Sequence, residues 1–173
     1  MHYLVTWIAA CLMLGGGDST VSLTETNTKV EFVGTKPNGK HEGAFKVAKG
    51  AAVVSQGDLS KIEVELDLTK LTSDNPKLTQ HLKSPDFFNV KEYPTAKFVT
   101  KSITKEGDKY KITGELTLVG KTKEISFPAT VSTANGKLVL TSEFKMNRHD
   151  YGITYGKGQI DDLVALKISI NAK

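Results

Sequence analysis

The sequence is poor in three residue types that often signal function, with one cysteine, one tryptophan and one arginine among 173 residues. One cysteine cannot form a disulfide within the chain, which neither supports nor excludes export. Surfaces that read phosphates or bases usually recruit several arginines, and here Arg148 stands alone. The net charge is +4, yet lysines alternate with Glu and Asp and no five-residue basic run occurs. We therefore predict no nucleic-acid partner.

Long apolar runs are also missing. Leu4–Leu14 is the only strongly apolar stretch, too short to span a bilayer but long enough for the core of a signal peptide. Three glycines follow it as a flexible linker. We predict a signal peptide or lipoprotein signal over residues 1–17, a linker over residues 18–27 and one globular domain over residues 28–173. The first segment predicts export to the periplasm or cell envelope.

Cys11 has two interpretations. The sequence Ile8-Ala9-Ala10-Cys11 resembles a bacterial lipobox, in which the cysteine is lipidated and becomes the new N-terminus. Cys11 would then be a lipid anchor that brings the protein to a membrane. The residues before the apolar run include no Lys or Arg, unlike most export signals, and the alternative is a buried N-terminal strand with an inert Cys11.

From Thr28 onward the pattern is that of an all-β domain. Residues 61–68 give the clearest strand, because apolar and charged side chains alternate there with period two. Pro37-Asn38-Gly39 and Asn135-Gly136 are turn signals between such strands. The last strand is predicted from about Gly158 to the C-terminus.

Sequential hairpins with one dry face each either stack as two sheets or close into a barrel. Closure removes the edges, and a barrel of about eight strands can hold a small ligand. The meander order favours an antiparallel β-barrel.

One segment in the middle of the chain neither alternates nor turns tightly. Asn75 offers a capping oxygen before Pro76, which predicts a short helix to about Ser84, where Pro85 stops it. Phe87 and Phe88 follow. Two adjacent aromatics cannot share one face of a strand, so they either splay over a cavity as part of a lid or plug the barrel end as core.

Four separated segments carry a family resemblance, in the right order along the chain: His81–Phe88, Tyr93–Phe98, Gly114–Lys123 and Arg148–Ile153. Residues from Thr28 to Ala172 resemble the YceI-like polyisoprenoid-binding family. The resemblance implies an extended, lipocalin-like antiparallel β-barrel, usually exported in bacteria. Its apolar interior would enclose a long isoprenoid chain, such as a polyprenyl or quinone tail. It implies a binder without a cofactor rather than an enzyme.

On that basis two sets of residues are candidates. The residues expected to line the lipid pocket are Phe45, Leu82, Phe87, Phe88, Tyr93, Phe98, Leu116, Leu118, Phe127, Phe144, Tyr151 and Ile153. The polar residues expected to meet a head group at the mouth are His81, Lys83, Asp86, Arg148 and His149. Arg148 and Asp150, on one face of a strand, would equally form a structural ion pair with each other, or Arg148 with Asp86.

Two other functions stay open from the residues alone. A structural or adhesive β-domain with a filled core would have neither cavity nor extractable ligand. A metal-binding barrel would bring His41, His81 and His149 together, although no His-x-His or His-x-x-x-His spacing supports it. Membrane contact would come through Cys11 or through lipid loading. The oligomeric state is open, and a dimer is among the options.

Overall fold

A computed structural model describes residues 17–173, so Cys11 and nearly all of the predicted signal segment lie outside the described residues. The described chain forms nine strands and one α-helix. The strands are β1 Ser19–Leu23, β2 Thr28–Lys36, β3 Gly39–Ser55, β4 Asp58–Ser73, β5 Thr95–Glu106, β6 Lys109–Leu118, β7 Lys121–Ser132, β8 Leu138–Asn147 and β9 Leu163–Ala172. The helix, α1, spans Pro76–Leu82.

The strands close into an antiparallel barrel. The order around it is β3-β2-β9-β8-β7-β6-β5-β4, and β4 pairs back to β3. This confirms the predicted eight-stranded barrel with one short helix between its middle strands. Among residues 17–173 no helix is long and apolar enough to cross a membrane.

The N-terminal part of the described chain differs from the prediction of a linker over residues 18–27. Ser19–Leu23 forms β1, which pairs antiparallel with Gly50–Val54 of β3. Val21 and Leu23 are buried in the barrel, and only the turn from Thr24 to Asn27 separates β1 from β2. Five residues give too short an alternation to distinguish such a strand from a linker in the sequence.

Helix α1 begins as predicted. The Asn75 side chain accepts hydrogen bonds from the backbone N–H groups of Lys77 at 2.9 Å and Leu78 at 3.2 Å. Pro76 occupies the first turn, where its missing N–H costs nothing. The helix ends at Leu82, two residues before the predicted Ser84.

The region before the last strand also differs from the prediction. Strand β9 begins at Leu163 rather than near Gly158, and residues 152–162 form a loop. Gly152, Gly156 and Gly158 have positive φ angles of 80°, 64° and 79°, which turn the chain away from an extended path. Residues Arg148–Tyr151 form a 3-10 helix, so Arg148 and Asp150 do not lie on one face of a strand.

The barrel interior holds two groups of packed side chains. The floor cluster lies towards the end of the barrel where β9 ends and comprises Val21, Leu23, Ala52, Leu59, Ile62, Phe98, Ile112, Phe127, Ala129, Leu138, Leu140, Ile170 and Ala172. The lid cluster lies under α1 at the opposite end and comprises Phe32, Leu68, Leu71, Leu82, Phe87, Phe88, Ala96, Leu118, Tyr151 and Ile153.

The close packing of β5 on β6 can be tested by a substitution at Gly114. A Cβ atom at this position would lie 2.5 Å from the Val99 carbonyl oxygen and 2.6 Å from the Phe98 ring. Because a backbone carbonyl cannot yield as a flexible side chain can, we expect Gly114→Ala to lower the free energy of unfolding by about 1–3 kcal/mol in urea titrations. Gly34→Ala is the control, since nothing lies within 4 Å of its added Cβ. Equal stability of the two variants would contradict this packing.

Candidate functional site

A cavity of about 350 Å³ runs between the floor cluster and the lid cluster. All nine strands, α1 and the loop over residues 152–162 contribute to its wall. The wall consists almost entirely of aliphatic and aromatic side chains. Its few polar members are Thr28, Thr35, Lys36, His41, His81, Arg148 and Tyr155.

The strand pattern explains why the interior is dry. On β4 the side chains of Ile62, Val64, Leu66 and Leu68 all line the cavity. The alternating acidic side chains point outward and pair with lysines there, as Glu63 does with Lys97 at 2.7 Å. This hydrogen bond holds the pKa of the Glu63 carboxyl below its ordinary value, so the outer face stays charged. The apolar side chains of the same alternating pattern point inward and form the inner face.

Phe87 and Phe88 form the underside of the lid. The Phe88 N–H donates to the Leu82 carbonyl at 3.0 Å, which folds the segment back under α1. The Phe88 ring packs edge-on against Phe45 with 5.5 Å between centroids, whereas Phe87 packs against His81 and Tyr155. Both side chains are only 8% exposed and both line the cavity. The two rings therefore point apart and pack against different partners. Both belong to the hydrophobic core and both also form part of the cavity wall.

Apart from Thr28, which lies beside Ile170, the polar residues of the wall lie at the cavity mouth. His81 Nε2 lies 2.9 Å from Asp86 Oδ2, and its ring meets Tyr155 edge-on at 4.7 Å. His41 Nδ1 lies 3.0 Å from Asp74 Oδ1. The Glu42 N–H, and then the His41 ring, hold the pKa of Asp74 below its ordinary value. The carboxylates thus fix both imidazole rings at the rim.

The structure brings most of the predicted pocket residues together around the cavity. Those that line it are Phe45, Leu82, Phe87, Phe88, Phe98, Leu116, Leu118, Phe127, Phe144 and Ile153, together with His81 and Arg148 from the predicted mouth. Five predicted residues lie elsewhere. Tyr93 packs beside the Gly120 turn, Tyr151 is buried within the lid cluster, and Lys83, Asp86 and His149 are not part of the cavity wall.

Arg148 has a different role from the predicted ion pair with Asp150 or Asp86. Its guanidinium donates to four backbone carbonyls: Asp161 at 3.1 Å, Ile153 at 2.9 Å, Tyr155 at 2.7 Å and Ile160 at 3.1 Å. Its closest carboxylate is Asp162, at 3.9 Å. Arg148 is 5% exposed, and it fixes the loop that forms one side of the mouth.

Sequence reasoning missed part of this wall. Tyr155 and Ile160 line the mouth from the loop, but a strand was expected there. Val164, Leu166 and Ile168 of β9 also line the cavity. Their period-two alternation predicts that they point inward, but they were not among the predicted pocket residues.

The three histidines of the metal alternative do not meet. His41 pairs with Asp74, His81 with Asp86, and His149 lies 3.3 Å from Asp162. Within the described part of the chain, no three His, Cys, Asp or Glu side chains form a group that could hold a metal ion.

Comparison with known proteins gives the family. The model of the YceI-like domain matches residues 22–172. The chain belongs to this family. The match begins within β1, in agreement with the place of that strand in the barrel.

Curated relatives agree with this assignment. A UPF0312 protein of Pseudomonas putida is 36% identical over 121 residues, 65% of this chain and 62% of the relative. Protein YceI of Salmonella arizonae is 32% identical over 136 residues, 74% of this chain and 71% of the relative. The aligned part therefore spans somewhat less than two thirds of the Pseudomonas protein.

Solved structures share the YceI-like fold. BcnA of Burkholderia cenocepacia matches with a TM-score of 0.77 at 24% identity, over 84% of this chain and 96% of that one. A polyisoprenoid binding domain from Saccharophagus degradans, implicated in plant cell wall breakdown, matches with a TM-score of 0.70 at 12% identity, over 89% and 97%.

The role of Arg148 in the loop can be tested with Arg148→Lys. A lysine cannot donate to four carbonyls, so we expect faster hydrogen exchange at the amides of residues 153–161 and a loss of about 3 kcal/mol in unfolding free energy. Lys157→Gln in the same loop is the exposed control and leaves both quantities unchanged. Unaltered exchange in Arg148→Lys would show that the loop does not depend on these bonds.

Tyr151 gives a prediction on pH. Burial, assisted by Asp150, raises the pKa of Tyr151 to about 12, from about 10 in an unfolded chain. Ionisation of Tyr151 therefore costs the fold nothing below about pH 10, and stability falls as the pH rises from about 10 towards 12, because the unfolded chain ionises first. The Tyr151 hydroxyl has no hydrogen-bond partner among the described residues. Tyr151→Phe should raise the unfolding free energy at pH 7 by about 1 kcal/mol and flatten the alkaline loss.

Urea titrations from pH 7 to about pH 12 measure both effects. The control is Tyr110→Phe, whose hydroxyl donates to Asp58 at 3.0 Å, so that its removal costs stability at pH 7. A Tyr151→Phe variant that is less stable than the parent at pH 7 would mean that the hydroxyl has a partner in solution.

Proposed function

We propose that this YceI-like barrel binds an apolar, isoprenoid-type lipid in its cavity and sequesters or carries it in the cell envelope. The observation that carries the proposal is the cavity of about 350 Å³ with an apolar wall. Its volume falls within the range of small-molecule sites, about 300–1,000 Å³. An adhesive domain with a filled core would not leave this space between its two clusters of packed side chains.

Affinity would come from burial rather than from polar contacts. Each methylene removed from water contributes about 0.8 kcal/mol, so several isoprene units would suffice for tight binding. Such a ligand needs little hydrogen bonding, in agreement with a wall whose polar side chains, apart from Thr28 beside Ile170, lie at the mouth. The ten predicted pocket residues on the cavity wall are the proposed lipid contacts, with His81 at the head group.

The comparisons support this ligand class by analogy. One solved structure of the same fold is a polyisoprenoid binding domain. Binding rather than catalysis also suits the wall chemistry, because the titratable groups His41 and His81 are at the rim and each is engaged with a carboxylate. Export and lipidation at Cys11 belong to the same proposal, since prenyl lipids reside in membranes.

A titration of delipidated protein with a dansyl-labelled prenol tests the proposal. We expect saturable binding with enhanced, blue-shifted emission, because the probe enters a dry cavity. Unlabelled solanesol, a long prenol, should displace the probe. A probe that stays in water at all protein concentrations would rule out a lipid site in this barrel.

Phe88 is the residue through which the lid can be tested. Replacing Phe88 by Glu places a charge on the apolar cavity wall, which costs far more in contact with hydrocarbon than in contact with water. We expect Phe88→Glu to reduce prenol retention after gel filtration several-fold, more than it perturbs the barrel.

The matched control is Leu138→Ala in the floor cluster. Leu138 is fully buried but does not line the cavity, so its truncation costs about 2–5 kcal/mol of stability without changing the lipid contacts. This variant should retain lipid as the parent does. If Phe88→Glu retained the prenol as well as the parent does, Phe88 would not be part of the lid.

A further inference from the structure

The cavity ends on a packed floor inside the barrel. On β8 and β9, Leu140 pairs with Ile170 across the ladder, and both side chains line the cavity. The next inward pair towards the floor is Leu138 and Ala172, and neither of these lines the cavity. All four residues are buried, with Leu138 and Leu140 only 0% and 1% exposed. The end of the cavity on these two strands therefore lies between the two pairs.

Three other strands show the same change from lining to non-lining residues. Leu23 of β1, Ile62 of β4 and Phe127 of β7 line the cavity. Closer to the floor on the same strands lie Val21, Leu59 and Ala129, which do not line it and are no more than 7% exposed. The side chains beneath the cavity are thus packed against one another, and a hydrocarbon chain that entered at the mouth would stop above them.

The length of the cavity can be read along β2. Its lining residues run from Thr28 to Lys36 at the mouth, about 26 Å at about 3.3 Å per residue. Strands in closed barrels tilt by about 40°, so this span is about 20 Å along the barrel axis. An extended prenyl chain grows by about 5 Å with each isoprene unit, given carbon–carbon bonds of about 1.5 Å. The cavity therefore has the length of about four units.

The volume agrees with a ligand of this size. The cavity has about 350 Å³, at the lower end of the range of about 300–1,000 Å³ for small-molecule sites. A much longer chain would have to leave part of its length outside the mouth.

We infer that the cavity accepts prenyl chains of up to about four isoprene units, and that the layer formed by Leu23, Ile62, Leu140 and Ile170 sets this limit. These four residues are called the end layer. The inference rests on the proposed lipid binding and adds the class of ligand, a short prenyl chain rather than a long one. The end layer acts by its position, because it closes the cavity from below and leaves the wall above it unchanged.

The limit acts most strongly on a lipid that is taken from a membrane. In the bilayer every isoprene unit is already surrounded by hydrocarbon. A unit that fits into the cavity exchanges one apolar environment for another, whereas a unit that stays outside the mouth becomes exposed to water, which is unfavourable. Uptake from a membrane should therefore fall once the chain is longer than the cavity.

Uptake from vesicles gives the first test. The protein carries Cys11→Ser, which removes the proposed lipid anchor and keeps the chain separable from vesicles. It is incubated with phosphatidylcholine vesicles that contain equal amounts of solanesol and of geranylgeraniol, the prenol of the inferred length. The vesicles are removed by flotation, and the prenols bound to the protein are extracted and quantified by mass spectrometry. We expect at least about tenfold more geranylgeraniol than solanesol.

The outcomes of this test separate the two proposals. Solanesol recovered in an amount equal to or above that of geranylgeraniol would overturn the length limit and leave the proposed lipid binding intact. If the protein took up neither prenol, the proposed function itself would be wrong.

The end layer is tested by a matched pair of truncations on β8. Leu140→Ala opens space that is continuous with the cavity, whereas Leu138→Ala leaves a void of similar size beneath the end layer. The vesicles now contain geranylgeraniol and geranylfarnesol, which is one unit longer. We expect the bound ratio of geranylfarnesol to geranylgeraniol to rise about tenfold in Leu140→Ala and to stay within about twofold of the parent in Leu138→Ala.

Urea titrations check that the two truncations lower stability to a similar extent, as expected from their equal burial. An unchanged ratio in a folded Leu140→Ala protein would overturn the role of the end layer. If Leu140→Ala does not fold, the comparison of geranylgeraniol with solanesol in the Cys11→Ser protein still decides whether the limit exists.

Discussion

The pairing of β3 with β4 is the constraint on which the cavity depends. It closes a nine-stranded sheet into a barrel and removes the two edges that an open sheet would expose. Three register shifts interrupt this pairing, and the 17 residues of β3 reach from the mouth to the floor. Closure fixes the distance between opposite walls, so the inward side chains cannot collapse onto one another. The space between the floor cluster and the lid cluster is the result.

The polar groups complement this dry interior by engaging each other at the rim. Arg148 binds backbone carbonyls, and the imidazoles of His41 and His81 bind carboxylates. The mouth is therefore a defined structure without a ligand, and the apolar wall is left to provide affinity. This division suits recognition of a long hydrocarbon chain, whose identity is read by the length and width of the space rather than by hydrogen bonds.

Much of this fold is predictable from local patterns. Period-two alternation gave the strands from Thr28 to Ser132, and the Asn75-Pro76 cap gave the helix. The loop over residues 152–162 was not predictable, because it depends on hydrogen bonds from Arg148 that no local pattern reveals. The same limit applies to the cavity. Alternation shows which side chains point inward, but whether those side chains fill the barrel depends on how they pack across it. Tyr151 is packed within the lid cluster, whereas Phe127 lines the cavity.

The most direct test of the account is native mass spectrometry of the protein purified from its own host, followed by organic extraction of the same sample. If the barrel holds a prenyl lipid, the intact mass should exceed that of the polypeptide by a discrete amount, and the extract should contain an apolar lipid of that mass. A protein that is ligand-free by both measurements, and stays so after incubation with membranes of the host, would contradict the central claim.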